Sequence, residues 1–481
     1  MKIQASSQGG NKLYAVTARL IFCETITSSK NSELLLALSQ KHFQGKLGQV
    51  SPVIAIDKQE VIYIGVGSRQ KVNAETIRRV GGNIVKALKR DYLSNCLVEW
   101  PADLPTEWLQ ALTEGMWLAD YTYQEFKDES DQTTKITNID IVEDDGRFSS
   151  LINKAAINVL GVVLARDLVN RPSNHLTPLK LVETATDIAD NHPSIEIDVL
   201  NSEMLKKNNL NALLAVAKGS VEEPYLIHLC YKPKTESRRK IAIVGKGITF
   251  DSGGISLKPS GHIEDMKIDM AGAATVLGLF KVITFLELPI EIHGVIPTCE
   301  NMPSGQATKP GDIVTSHSGK TIEIVNTDAE GRLILADALS YVASTIKPDT
   351  IVDLATLTGA CMIALGADIA AIMSNDQELV NDIVTASLFS GENIWQLPLV
   401  DDYKDELKSD IADLKNVSDG RNGGAINGGL FLAEFIPETI RFAHIDIAGP
   451  AQAEKVKYSY LPKGGTGFGV RTLVEWLSNI Q

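Results

Sequence analysis

From the N-terminus to about residue 125, short apolar runs alternate with longer stretches whose apolar positions recur every three or four residues. Val53–Ile56, Val61–Val66 and Leu97–Trp100 are brief and rich in β-branched or aromatic side chains, which predicts strands, whereas Ala74–Arg90 carries the helical period. A small α/β domain accounts for both. The stretch Lys127–Arg147, KDESDQTTKITNIDIVEDDGR, is polar and acidic and reads as a linker or long surface connection, so residues 1–150 are taken as one N-terminal domain.

In Leu151–Val169 the positions Ile152, Ala155, Ala156, Val159, Leu160, Val163 and Leu164 fall on one helical face. Asn170-Arg171-Pro172 ends that helix, because proline cannot continue the hydrogen-bond ladder. Residues 151–170 therefore read as a helix bridging two domains. Beyond it, strand-like runs at Ile241–Val244, Ile292–Ile296, Thr321–Val325, Thr350–Leu354 and Ala443–Ile447 alternate with helical patterns. Residues 171–481 are accordingly expected to form a larger α/β domain built on a mostly parallel, helix-flanked mixed sheet. The most apolar long stretch, Ile351–Met373, contains Asp353, Asp368 and several glycines, and reads as a buried strand with its following turn, not a membrane span.

Composition narrows the function classes. With 481 residues, 44% of them apolar and 22% charged, the chain is long enough for two cores and ordinary for a folded protein. A net charge of -14 is repelled by polyanions, which disfavours a main role in coating nucleic acid or anionic lipid. Cys23, Cys96, Cys230, Cys299 and Cys361 lie far apart with no CxxC pairing, which fits a reducing compartment and suggests neither a zinc finger nor a disulfide framework. The opening MKIQASSQGGNKLY has no apolar signal core, so a cytoplasmic location is expected.

Chemistry concentrates in two segments. Lys240–Met270 reads KIAIVGKGITFDSGGISLKPSGHIEDMKIDM, a buried strand followed by glycine-rich turns that bear Lys246, Asp251, Lys258 and Asp269. Ligands of open α/β sheets bind beyond the carboxyl ends of strands, and Gly245, Gly247, Gly253 and Gly254 allow close approach there. In Thr321–Leu333, TIEIVNTDAEGRL, the residues Asp328, Glu330 and Arg332 fall at every second position and share one side if the stretch is extended. A helix is expected to begin near Leu333, where backbone N–H groups favour anions, so Arg332 can help to hold one.

Each of these residues alone has an ordinary reading: a helix cap, a turn former or a solvated cation. Together they gather at apolar strand ends, where crowded carboxylates raise one another's pKa and cations compensate. Such an oxygen-rich set suits two divalent ions about 3.5–4 Å apart, the arrangement of metal-assisted hydrolysis. An amine such as Lys246 ligates only when deprotonated, which a nearby metal enforces.

These residues resemble the leucyl aminopeptidases, two-metal hexameric exopeptidases of the cytosol. NTDAEGRL at Asn326–Leu333 matches the family signature, and GKGITFDSGGISLKP at Gly245–Pro259 matches its other metal segment. The resemblance continues through ENMPSGQATKPGDI, DLATLTGA, HIDIAGPA and TGFGVRTL and covers residues 166–481, with Gly428-Gly429 standing where two alanines are expected. It implies that Asp251 and Glu330 bridge both ions, that Asp328 completes one site, and that Lys246 and Asp269 complete the other. It further implies Lys258 and Arg332 as the catalytic pair, with a bicarbonate at Arg332 that shuttles protons, and Met266, Asn326, Thr356 and Leu357 at the substrate pocket. Met266 also has an ordinary reading as plain core.

The implied activity is removal of leucine-like or other apolar N-terminal residues from peptides by a homohexamer, with zinc or manganese as the expected metal and cobalt or magnesium as alternatives. No histidine among His262, His293, His317 and His444 is assigned to metal, because no HExxH or comparable cluster occurs. Three rival readings are weaker. Asp251-Ser252-Gly253-Gly254 echoes a serine-protease nucleophile but follows Phe250 instead of glycine, in an α/β context. Ser318-Gly319-Lys320-Thr321 lacks the first P-loop glycine, since Val314 stands there. DNA binding, known for some relatives, is not indicated by the charge.

Overall fold

The computed structural model describes all residues except 7–12, 29–32, 41, 57, 129–134, 144–145, 235–236, 238, 262, 421 and 481. His262 and part of the Lys127–Arg147 stretch thus lie outside the described residues. The chain divides into two compact units. One comprises Met1–Val159, Phe389–Gly391 and Glu454–Lys463; the other comprises Leu160–Leu388, Glu392–Ala453 and Gly464–Gln481.

Among its described residues the first unit holds six strands: β1 (Lys2–Ser6), β2 (Thr17–Phe22), β3 (Ile54–Ile56), β4 (Gln59–Gly67), β5 (Asn95–Glu99) and β6 (Asn138–Val142). They form one sheet in the order β1-β6-β5-β2-β4-β3, parallel except where β3 meets β4. Helices Ala74–Arg90 and Trp108–Asp120 pack together, the first also covering β4, over a core that includes Ile62, Ile64, Val98 and Ile139. The linker reading is corrected here, because β6 lies inside the acidic stretch and is paired on both sides. Its signal is the alternation in NIDIV, where Ile139 and Ile141 are buried and Asp140 accepts a 2.6 Å hydrogen bond from the Tyr14 hydroxyl.

In the second unit, β7 (Ile195–Leu200), β8 (Tyr225–Tyr231), β9 (Lys240–Gly245), β10 (Gly247–Asp251), β11 (Glu291–Asn301), β14 (Thr350–Ala355), β15 (Ala370–Ser374), β16 (Ile394–Gln396) and β18 (Arg441–Asp446) form a nine-stranded sheet. Its order is β16-β15-β18-β14-β9-β11-β8-β7, with β10 paired to β11. The centre from β18 to β11 is parallel, and antiparallel pairings join β15, β8 and β7 at the flanks. Strand β14 is buried along its whole length, as a central strand covered on both faces must be. Helix Ala271–Leu286 covers β9, β11 and β14 on its own apolar side.

A three-stranded sheet, β12 (Ile313–Thr315), β13 (Thr321–Glu323) and β17 (Leu414–Lys415), stands apart. The Thr321–Val325 run therefore belongs there and not to the main sheet, because β13 spends its pairing edges on β12 and β17. Ile351–Met373 is a strand, a short helix (Gly359–Leu365) and a second strand, so its apolar character comes from two buried strands. Helix Phe148–Asn170 is, among the described residues, the one long and apolar enough to cross a membrane by length and composition, with 44% of its most apolar window buried. Buried Ile152, Ala155, Val162, Ala165 and Val169, with Arg166 also buried, mark it as a packed helix of the fold.

Candidate metal centre

Strand β9 ends at Gly245, and the next residue is locked from both sides: Lys246 donates its backbone N–H to Leu354 O at 3.1 Å and accepts from Ala273 N at 2.9 Å. Helix Ala271–Leu286 comes this close because residue 272 is glycine; a Cβ there would overlap Leu354 O. The side chain, only 3% exposed, reaches past the strand end, where Nζ lies 2.8 Å from Asp269 Oδ2, 2.9 Å from Glu330 Oε1 and 3.0 Å from Thr356 O.

Asp251 ends β10. Its Oδ1 accepts from Gly253 N at 2.9 Å and from Asn301 Nδ2 at 2.8 Å, while Oδ2 lies 2.7 Å from Lys258 Nζ. Gly253 and Gly254 have φ of +85° and +65°, the left-handed region that glycine enters without strain, and their turn folds Lys258 back over the site. Lys258 Nζ also meets Asp328 Oδ1 at 2.5 Å. Asp269 follows the single turn Met266–Ile268, which packs on β10, and its Oδ1 accepts from Thr356 Oγ1 at 2.7 Å.

The alternating trio is not extended. Asp328 lies in a turn closed by Asn326 Oδ1, which accepts its N–H at 2.9 Å; Glu330 precedes helix Gly331–Tyr341, and Arg332 is inside it. The helix thus starts two residues before Leu333, and a turn rather than strand alternation aims the acids. A Cβ at residue 331 would overlap Lys246 Cε and Nζ, so glycine is required where helix and lysine meet.

The result is a buried cluster in which carboxylate oxygens of Asp251, Asp269 and Glu330 lie within 4.8 Å of one another. Asp328 is tied to it through Lys258. Four carboxylates face two ammonium groups there, leaving excess negative charge. Burial, added to the neighbouring charges, holds Asp269 and Glu330 above the usual carboxylate range, and burial does the same for Asp328. Burial pulls Lys246 down, but Asp269, Glu330 and Asp251 outweigh it and hold the ammonium above its ordinary value.

These residues fit a divalent cation. Glu330 Oε2 is buried and has no hydrogen-bond partner among the described residues, a cost that an ion would remove. The donors are mostly hard carboxylate oxygens, which suit hard or borderline divalent ions.

Arg332 is buried and donates from Nη1 to Asn416 O at 2.7 Å, with its guanidinium 5.8 Å from the Phe431 ring centre. Burial lowers its pKa to about 10, against the pull of Glu330 and Asp446. Its other N–H groups make no hydrogen bond among the described residues. Leu357 donates its N–H to Asp446 Oδ1 at 3.2 Å, and Met266 and Leu357 are both half-buried. An alanine Cβ at residue 428 would stand 3.1 Å from Leu357 Cδ2, so Gly428 relieves crowding beside that side chain.

Two positioning residues carry no obvious mark in the chain. Asn301, buried at the end of β11, binds both Asp251 and, at 3.0 Å, Thr327 O. Asn416 accepts from Val325 N at 2.9 Å and donates to Asn326 O at 2.7 Å, holding the Asn326–Arg332 turn from beneath. A lone polar amide at the end of an apolar strand is the only signal for Asn301, and Asn416 has none.

Residues 163–474 match the profile described as "Cytosol aminopeptidase family, catalytic domain", and residues 18–130 match that family's N-terminal domain. The chain is 41% identical over 447 residues to a probable cytosol aminopeptidase of Aquifex aeolicus, covering 92% of this chain and 89% of that protein. It is 43% identical over 455 residues to one of Persephonella marina, covering 92% and 90%. Among solved structures, a mutant tomato leucine aminopeptidase superposes with a TM-score of 0.90 at 35% identity, covering 100% of this chain and 97% of that one. The bottromycin maturation enzyme BotP in complex with Mn superposes with a TM-score of 0.88 at 33% identity, covering 97% and 99%.

Proposed function

The chain belongs to the cytosol aminopeptidase family, a family of metal-dependent peptidases, and from that premise we propose that it removes leucine-like or other apolar N-terminal residues using two divalent ions. The observation that carries this reading is the buried triad of Asp251, Asp269 and Glu330 around Lys246, with an orphaned oxygen on Glu330. Asp251 and Glu330 would bridge the ions, with Asp328 completing one site and Lys246 and Asp269 the other. Divalent ions in such a centre lower the pKa of water and act as Lewis acids on a carbonyl.

The protein's own groups have separate tasks. Thr356 and Asn301 orient Asp269 and Asp251 by hydrogen bonds to one oxygen of each, leaving the second oxygen facing the ammonium groups. Lys258, the more exposed of the two lysines, would stabilise the oxyanion that forms as a scissile carbonyl becomes tetrahedral, a charge worth most in a partly dehydrated site. Arg332, with guanidinium donors left over, would hold a bicarbonate that accepts and returns protons. Met266, Asn326, Thr356 and Leu357 would line the substrate pocket, and the apolar Met266 and Leu357 support a preference for apolar side chains.

The proposed selectivity for free N-termini rests on the substrate's α-amine, which in its neutral form is a ligand for a divalent ion that an internal peptide bond lacks. Zinc or manganese is the proposed metal; manganese gains support from the Mn complex of BotP, a similar structure. A homohexamer in the cytoplasm is proposed as the working form, in line with the family's name and the resemblance of the motifs. The test is hydrolysis of leucine amide against N-acetyl-leucine amide after chelation and return of Mn²⁺ or Zn²⁺. Metal-dependent cleavage of the free amine alone is expected; equal cleavage of both would overturn the exopeptidase reading.

A further inference from the structure

Strand β11 contributes Asn301 to the aminopeptidase centre at one end, and at its other end, ten residues and about 33 Å away by strand rise, it carries Glu291 and His293. Antiparallel pairing sets His293 directly opposite Cys230 on β8, and the two-residue period puts Glu291 and His228 on the same face. Ligand atoms of Cys230, Glu291 and His293 all lie within 4.8 Å of one another. Cys230 is 6% exposed, and its sulfur makes no hydrogen bond among the described residues.

We propose that Cys230, Glu291 and His293 form a second divalent-metal site of zinc-like preference, separate from the aminopeptidase centre. A tetrahedral ion with bonds of about 2.0–2.3 Å spaces its ligands roughly 3.3–3.8 Å apart, within the 4.8 Å that encloses these ligand atoms. One thiolate, one imidazole and one carboxylate leave a fourth position for water and favour borderline ions over magnesium or calcium.

His228 supplies the outer support that a ligating histidine needs. Its Nε2 lies 2.8 Å from His293 Nδ1, and the two rings stack 5.1 Å apart. His293 Nε2, 2.7 Å from Glu291 Oε1, faces the ligand set. When Nε2 gives its lone pair to metal, Nδ1–H donates to His228, fixing the tautomer and ring orientation. His228 Nε2, at hydrogen-bond distance, is the acceptor that this arrangement calls for.

Two features oppose the ion and set its selectivity. Burial, then Glu291, pushes the Cys230 thiol up to about 11, so coordination breaks the S–H bond and releases the proton to solvent as the metal–sulfur bond forms. Lys240 Nζ lies 3.1 Å from Glu291 Oε1 and must yield that contact, while Lys232 is already paired with Glu196 at 2.6 Å. A metal with strong thiolate affinity overcomes both.

The test is Co²⁺ titration of the full-length, Mn²⁺-loaded enzyme, followed by near-ultraviolet absorption and bound metal per chain. The proposed aminopeptidase ligands include no sulfur, so a thiolate-to-cobalt band reports the second site. The wild type should develop this band with saturation at one Co²⁺ per chain; Cys230→Ser should lose it, and Glu291→Gln and His293→Gln should weaken Co²⁺ binding at least tenfold. Leucine amide turnover by Cys230→Ser at the wild-type rate shows an intact fold and a loaded centre. No band in the wild type, or the same band in Cys230→Ser, overturns the proposal; should Cys230→Ser not fold, an undiminished band in His293→Gln does so.

Discussion

Lys246 Nζ stands 2.8 Å from Asp269 Oδ2, with both side chains almost fully buried. An ion pair so enclosed is weak evidence of stability, because desolvation offsets the Coulomb gain. Its value here is placement, since the pair fixes the centre of an acidic cluster.

Removing one carboxylate from that cluster should release metal. Asp269→Asn or Glu330→Gln is expected to weaken retention of Mn²⁺ or Zn²⁺ at least tenfold, because even outer-shell losses cost about 10–100-fold. Metal analysis after dialysis measures it, and wild-type metal content in both variants would contradict the ligand assignment.

Gly331→Ala tests placement without removing any ligand. The new Cβ overlaps the Lys246 ammonium, which must move, and displacement on the order of 1 Å costs about a hundredfold in rate. Turnover of leucine amide should fall by about that factor with the circular dichroism unchanged. Wild-type turnover would show that Lys246 need not stand where it does.

Lys258→Ala should lower turnover roughly tenfold or more while metal content stays near wild type, as expected of an oxyanion-stabilising group. If metal is lost in parallel with rate, Lys258 serves the site's assembly instead.

Asp337 gives a prediction about pH. It is fully buried in helix Gly331–Tyr341 and accepts N–H groups from Leu213 at 3.0 Å and His317 at 2.8 Å, yet burial raises it to about 7. The unfolded carboxyl titrates near about 3.9, so the folded state holds the extra proton between the two values. Stability contributed by this group is therefore greatest below about pH 4, falls as pH rises towards 7 and levels off above it. Asp337→Asn should flatten urea midpoints across that window; an identical slope in both proteins would refute the assignment.

Much of this was legible because the period of the apolar positions is strong where strands are fully buried, as in Ile241–Val244 and Thr350–Leu354. The acids beside Gly253 and Gly254 were legible too, since charge at an apolar strand end needs a reason. Strand β6 was hidden by its acidic neighbours, and Asp140 inside it is satisfied by tertiary hydrogen bonding that no local pattern announces. The turn at Asn326–Glu330 does not announce itself against an extended stretch, because Asn416, 90 residues on, holds it. Cys230 and His293 are 63 positions apart and meet only through antiparallel register, so each looked solitary in the chain.

The most direct measurement is titration of metal-free protein with Mn²⁺ or Zn²⁺ under conditions that leave Cys230 substituted by serine, following leucine amide hydrolysis against metal bound per chain. Activity should rise from background and reach its plateau at two ions per chain. Full activity in rigorously metal-free protein, or a plateau at one ion, would contradict the two-ion centre.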